Sequence, residues 1–148
     1  MDPAVARNIA QYSHVGARDR FGGLVTEHVE RVAAAVPDDA RAIAYLHDVL
    51  EHTETDVEQL REQGLTDLEL AALELLTRLP DERYEAYSLR IAWGRGDAGA
   101  LARAVKLADL DDRLAGGRLR SDDAPPYGWA RRHILVAGER LLGATQAA

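Results

Sequence analysis

A chain of 148 residues, 47% of them apolar, has the size of one domain with an ordinary core. Its formal net charge of −7 and pI near 5.2 argue against a general binder of nucleic-acid polymers or anionic membranes, though a basic pocket for a small anion stays open. Without cysteine there are no disulfides and no thiolate metal sites.

No apolar run approaches the roughly 18 residues of a membrane span. The N-terminus lacks the cationic-then-apolar pattern of a signal peptide, so a cytoplasmic location is expected. Ala, Leu, Arg and Glu dominate over aromatic residues, which favours helix. Asp2-Pro3 reads as an N-cap with proline at the first helical position, opening a helix to about His14. Gly16 and Gly22-Gly23 bracket a loop. Leu24–Val36 is a second helix with Val25, Val29, Val32 and Val36 on one stripe. Pro37-Asp38-Asp39 starts a third, carrying Ile43, Leu46, Val49 and Leu50. A short helix capped by Thr55 closes at Gly64. Thr66-Asp67-Leu68-Glu69 is a capping box for the next helix. Pro80-Asp81 starts another through Tyr84, Tyr87 and Ile91; Gly94 to Gly99 is a break, and Ala100–Leu114 follows. No alternating strand pattern is found. The expectation is an all-α, compact single-domain bundle of about seven to eight helices over 1–148, since apolar positions recur at helical spacing throughout. Its core lies at about 10–115, a polar linker at 116–127 and a C-terminal packing helix at 128–146.

Chemistry concentrates on four residues. His47-Asp48 stands in an otherwise apolar helix, with Ile43-Ala44-Tyr45-Leu46 before it and Val49-Leu50 after. Burying an imidazole beside a carboxylate is costly unless something satisfies both. A half-buried His-Asp pair is the plain reading; a cation is the other. His28 points inward with the valine stripe, and reads either as a hydrogen-bonded core histidine or as a ligand. Asp109 lies in an apolar helix, where a buried salt bridge or a metal would explain it. Together, His28, His47, Asp48 and Asp109 form a two-histidine, two-aspartate set that suits Mn²⁺, Fe²⁺, Co²⁺ or Zn²⁺ rather than Ca²⁺. Glu51 is one turn beyond His47, placed to take a proton from a metal-activated water.

The ordered set resembles the HD superfamily of metal-dependent phosphohydrolases, and in detail the small stand-alone RelA/SpoT-type hydrolase domains. The carrying segments are His14-Val15-Gly16-Ala17-Arg18-Asp19-Arg20-Phe21-Gly22-Gly23 leading to His28, then Leu46-His47-Asp48-Val49-Leu50-Glu51-His52-Thr53. Leu76-Thr77, Tyr84 with Tyr87, and Val105-Lys106-Leu107-Ala108-Asp109-Leu110-Asp111-Asp112-Arg113 complete it. The resemblance implies that His28, His47, Asp48 and Asp109 bind one divalent ion, commonly manganese, and that Glu51 is catalytic. It places Arg20 near a nucleotide. In the alarmone hydrolases the substrate is guanosine tetra- or pentaphosphate, cleaved at its 3′-diphosphate. This chain departs from the pattern at His52, which replaces the second acid of the catalytic pair and joins Glu51 as a catalytic candidate. It departs also at Leu24-Val25, Val29 and Arg113, where the pattern has Pro-Tyr, proline and asparagine; these imply an altered nucleotide pocket. No histidine lies between His52 and Asp109, as a two-metal variant would need.

The expected function is hydrolysis of a phosphate or diphosphate ester of a nucleotide or related small molecule. Arg20, Lys106, Asp112 and Arg113 are the candidate substrate-binding residues. The partner is a small phosphorylated substrate, with no nucleic-acid polymer and no membrane. The alternative is a regulatory HD module that binds a nucleotide or partner without turnover.

Overall fold

The computed structural model describes residues 1–115 and 126–146. Among the described residues there are helices and turns and no strand, only an isolated antiparallel bridge between Arg18 and Leu24. The helical segments are α1 (Pro3–Ser13), α2 (Val25–Ala34), α3 (Arg41–Leu46), α4 (Val49–His52), α5 (Val57–Glu62), α6 (Asp67–Leu76), α7 (Tyr84–Ala92), α8 (Gly96–Ala115) and α9 (Tyr127–Gln146). A 3-10 turn, Asp38–Ala40, leads into α3. Since α3 and α4 are two pieces of one interrupted run, the described residues make a bundle of eight helical units, the all-α class expected. None of these helices is long and apolar enough to cross a membrane. Most of the predicted 116–127 linker lies outside the described residues; its last residue, Tyr127, is already helical.

Local chemistry fixes several boundaries. The Asp2 side chain accepts the Ala4 N–H at 2.7 Å, capping α1 ahead of Pro3. The Thr66–Glu69 capping box forms as read, and Glu69 also holds the N-terminal ammonium of Met1 at 2.6 Å. The cap of α5 is Asp56, boxed with Gln59, and not Thr55. The Thr55 hydroxyl is instead paired with the Ser13 hydroxyl at 2.9 Å, a tertiary contact with α1. Helix α7 begins at Tyr84, because Asp81 sits at φ 60° in a turn that ends any helix started at Pro80.

The predicted break from Gly94 to Gly99 is shorter than expected, and α8 starts at Gly96. Gly99 lies inside the helix because the α7–α8 turn presses against it. A Cβ there would lie 2.1 Å from the Gly94 carbonyl oxygen. Alanine would favour the helix itself by about 1 kcal/mol, but the clash must push the turn away. Gly99→Ala is therefore expected to cost about 1–3 kcal/mol net, as overpacking does. Urea denaturation checks this, and an unchanged midpoint would mean that the turn yields freely.

Helix α8 is the spine: it packs on α2, α6, α7 and α9, while α1 lies on α3. Val29, Val32, Ile43, Leu46, Val105 and Leu110 are buried at this junction. The same packing carries His28 from α2, His47 and Asp48 from between α3 and α4, and Asp109 from α8 to one place.

Candidate metal centre

His28 is 3% exposed and His47 4%, and both rings are oriented by their Nδ1 atoms. The His28 Nδ1–H donates to Asp112 Oδ2 at 2.7 Å. The His47 Nδ1–H donates to the Ala44 carbonyl at 2.6 Å. An unbroken helix would give that carbonyl to the Asp48 N–H. The single helix expected from Pro37 to Leu50 is accordingly interrupted at His47-Asp48, which corrects the sequence reading and turns both side chains toward α8. The Nε2 of each ring faces inward. His28 Nε2 is 3.1 Å from Asp109 Oδ1; His47 Nε2 is 3.9 Å from the same oxygen and 3.5 Å from Asp48 Oδ1. The rings meet edge to face, with centroids 5.4 Å apart.

Asp109 is fully buried. Lys106 donates to its Oδ2 at 2.7 Å, and Arg113 Nε donates to its Oδ1 at 2.6 Å. Burial alone would push the Asp109 carboxyl up, but Lys106 and Arg113 beside it hold it well below the usual carboxylate range. Burial would lower the Lys106 ammonium, yet Asp109 and the tyrosines keep it well above its ordinary value. Its Nζ sits 5.0 Å from the Tyr87 ring centroid and 5.9 Å from that of Tyr84. Burial pushes the His47 imidazole down, toward the neutral form a cation needs.

His47 Nε2 is buried without a hydrogen-bond partner among the described residues. An orphaned buried acceptor costs about 1–3 kcal/mol. Its donor atom, those of His28 and Asp109, lie within 4.8 Å of one another, so these three residues are placed to hold a metal ion. Imidazole nitrogen with carboxylate oxygen fits a first-row divalent cation. Asp48 adjoins the three and opens onto the neighbouring cleft.

That cleft, of roughly 440 Å³, receives side chains from most of the sequence candidates. Glu51, His52, Arg20, Lys106 and Arg113 all line it. Glu51 Oε2 accepts the Arg78 N–H at 3.0 Å, and its other oxygen is 3.7 Å from His52 Nε2. Asp112 does not reach this cleft; it is tied to His28 and, through Oδ1, to Arg31 at 2.5 Å, lining a smaller hollow on the far side of Arg113. Several wall residues are not among the site residues expected from the sequence, His14, Arg18, Arg78, Tyr84, Tyr87 and Tyr127 among them. His14 ends α1 and is only 2% exposed, with burial pushing its imidazole down. The buried polar side-chain atoms without partners among the described residues are His14 Nε2, His47 Nε2 and the Tyr84 hydroxyl, two of them on residues of the cleft wall and the third at the adjoining centre. Unsatisfied polar atoms gathered in one place mark a site kept for something other than stability. The Gly16 turn after His14 was the available signal: Gly16 takes a φ of 71°, and the Ala17 N–H bonds back to the His14 carbonyl at 3.0 Å.

Comparison with known protein families finds no match to this chain, and comparison with curated proteins finds none either.

Proposed function

We propose that the chain is a single-metal phosphohydrolase of the HD type, acting on a nucleotide or a related small phosphate ester. The observation that carries the reading is the buried His28–His47–Asp109 group, with an orphaned imidazole nitrogen, beside a cleft rimmed by arginines. His28, His47 and Asp109 would hold the ion, with Asp48 as fourth ligand and Mn²⁺ the first metal to try. When bound, such an ion acidifies a water molecule and polarises a phosphoryl oxygen. With Nδ1–H held by Asp112 and by the Ala44 carbonyl, both Nε2 atoms would be the ones offered to the ion, His28 giving up the proton that Asp109 favours on it in the metal-free form. Glu51 takes the proton of the attacking water. Arg18 and Arg78, each hydrogen-bonded to a backbone carbonyl, stand on the cleft wall with Arg20 and offer forked donors to phosphate oxygens.

Incubating the Mn²⁺-loaded protein with a panel of nucleotides, their 3′-diphosphates included, is expected to release phosphate or diphosphate from at least one. Chelation should stop the release, and His47→Ala should abolish it. If every compound stays intact while the protein holds its metal, the hydrolase reading fails and the metal centre survives. A second reading, a nucleotide-binding module without turnover, is favoured by one feature: the Arg113 guanidinium already faces both aspartates of the centre.

A further inference from the structure

The same feature carries an inference about the metal, and it rests on the metal-centre reading above. We propose that Arg113 is an internal competitor for the ion: its guanidinium engages the lone pairs that a divalent cation would use, and metal binds only as that side chain yields them.

The atoms coincide. Arg113 Nε donates to Asp109 Oδ1 at 2.6 Å. Its Nη2 lies 3.3 Å from His28 Nε2 and 3.6 Å from Asp48 Oδ2. One guanidinium thus occupies the atoms that Asp109 and His28 turn to the centre, and it also faces the outer oxygen of Asp48, whose Oδ1 is the one nearest His47 Nε2. Only His47 Nε2 is left without a partner. The other oxygen of Asp109 is also met by a donor, Lys106 at 2.7 Å on Oδ2, so a cation would share either oxygen with a cationic side chain. Charge points the same way. Asp48 and Asp109 are the two carboxylates of the centre, and Lys106 and Arg113 already balance them one for one. A divalent ion would enter a site that has no net negative charge to neutralise, against the repulsion of a guanidinium sharing its ligands.

Arg113 also has room to leave. It stands in the last turn of α8 and lines both the larger cleft and the smaller hollow beyond it. Displaced toward the larger cleft, it would join the arginines of the wall, so that the metal and an anionic group in the cleft would favour the same position of the side chain.

The test is Mn²⁺ affinity by equilibrium dialysis for the wild type, Arg113→Asn and Arg113→Gln, the second substitution keeping more of the packing. Both neutral variants are expected to bind Mn²⁺ at least about tenfold more tightly. Their metal-free forms should melt below the wild type, with added Mn²⁺ recovering the difference. Equal or weaker affinity in both variants, with the wild type binding, overturns the competitor role and leaves the centre standing. Binding by none of the three overturns the metal reading and the proposal with it. A second measurement needs no variant. The Arg113 Nε–H resonance should be protected from exchange in the metal-free wild type and lose that protection on adding one equivalent of Zn²⁺. A resonance that stays put while Zn²⁺ is bound overturns the proposal.

Discussion

Asp109→Ala is expected to lower the stability of the metal-free protein by about 3–5 kcal/mol, the cost of breaking a buried ion pair by deleting one partner. The side chain is fully buried and takes hydrogen bonds from Lys106 and Arg113. Without it, the largely buried Lys106 ammonium loses its carboxylate partner and is left against the faces of Tyr87 and Tyr84 at the edge of the cleft. Arg113 keeps Asp48 at 3.6 Å and is partly relieved. For a domain of this size such a loss lowers the melting midpoint by roughly 6–20 °C. It is a large fraction of a typical total of about 5–15 kcal/mol. The double variant Asp109→Ala with Lys106→Met removes the stranded charge and should recover a good part of the loss. Neither protein should retain the metal. Scanning calorimetry with metal analysis decides it: a single variant that melts like the wild type would show that Asp109 carries no buried pair worth the name.

That expectation was half legible in the sequence. An aspartate inside Leu101–Leu110 demands a reason, and so does a histidine on the valine stripe of α2. Helical periodicity therefore placed His28 and Asp109 indoors, and the structure has both buried. The caps at Asp2 and Thr66 were legible for the same cause: they depend on residues three or four apart. What escaped depends on partners far along the chain. Thr55 loses its capping role to a hydroxyl 42 residues away. The break between α3 and α4 follows from one side chain, His47, taking a backbone carbonyl, which no propensity records. The early start of α8 follows from Gly94 lying against Gly99. Asp112 read as a candidate substrate contact, yet it pairs with His28, 84 residues earlier. Arg113 read as part of an altered nucleotide pocket; its reach back to Asp109 and Asp48 needed the geometry of the last turn of α8.

Glu51→Gln is expected to leave metal content and thermal stability near wild type and to cost at least about 10²-fold in turnover of whichever substrate the nucleotide panel identifies. A ligand and a general base fail differently, and this substitution separates them. Glutamine keeps the carbonyl oxygen that accepts the Arg78 N–H, now met at 3.0 Å, so the start of the α6–α7 connection should hold its place. Glu51 is not among the three residues whose donor atoms cluster, so the ion should stay. What glutamine cannot do is accept a proton, and positioned proton transfer contributes about 10² to 10⁴-fold. The loss should fall on kcat, with KM little changed, because the wall that meets the phosphate is untouched. If Glu51→Gln sheds the metal, Glu51 is a ligand and the roles assigned to it and Asp48 are wrong. If turnover is unchanged, the proton goes elsewhere. His52 is then the first candidate, since its Nε2 lies 3.7 Å from Glu51 Oε1 on the same cleft wall. In that case His52→Ala should produce the loss that Glu51→Gln did not.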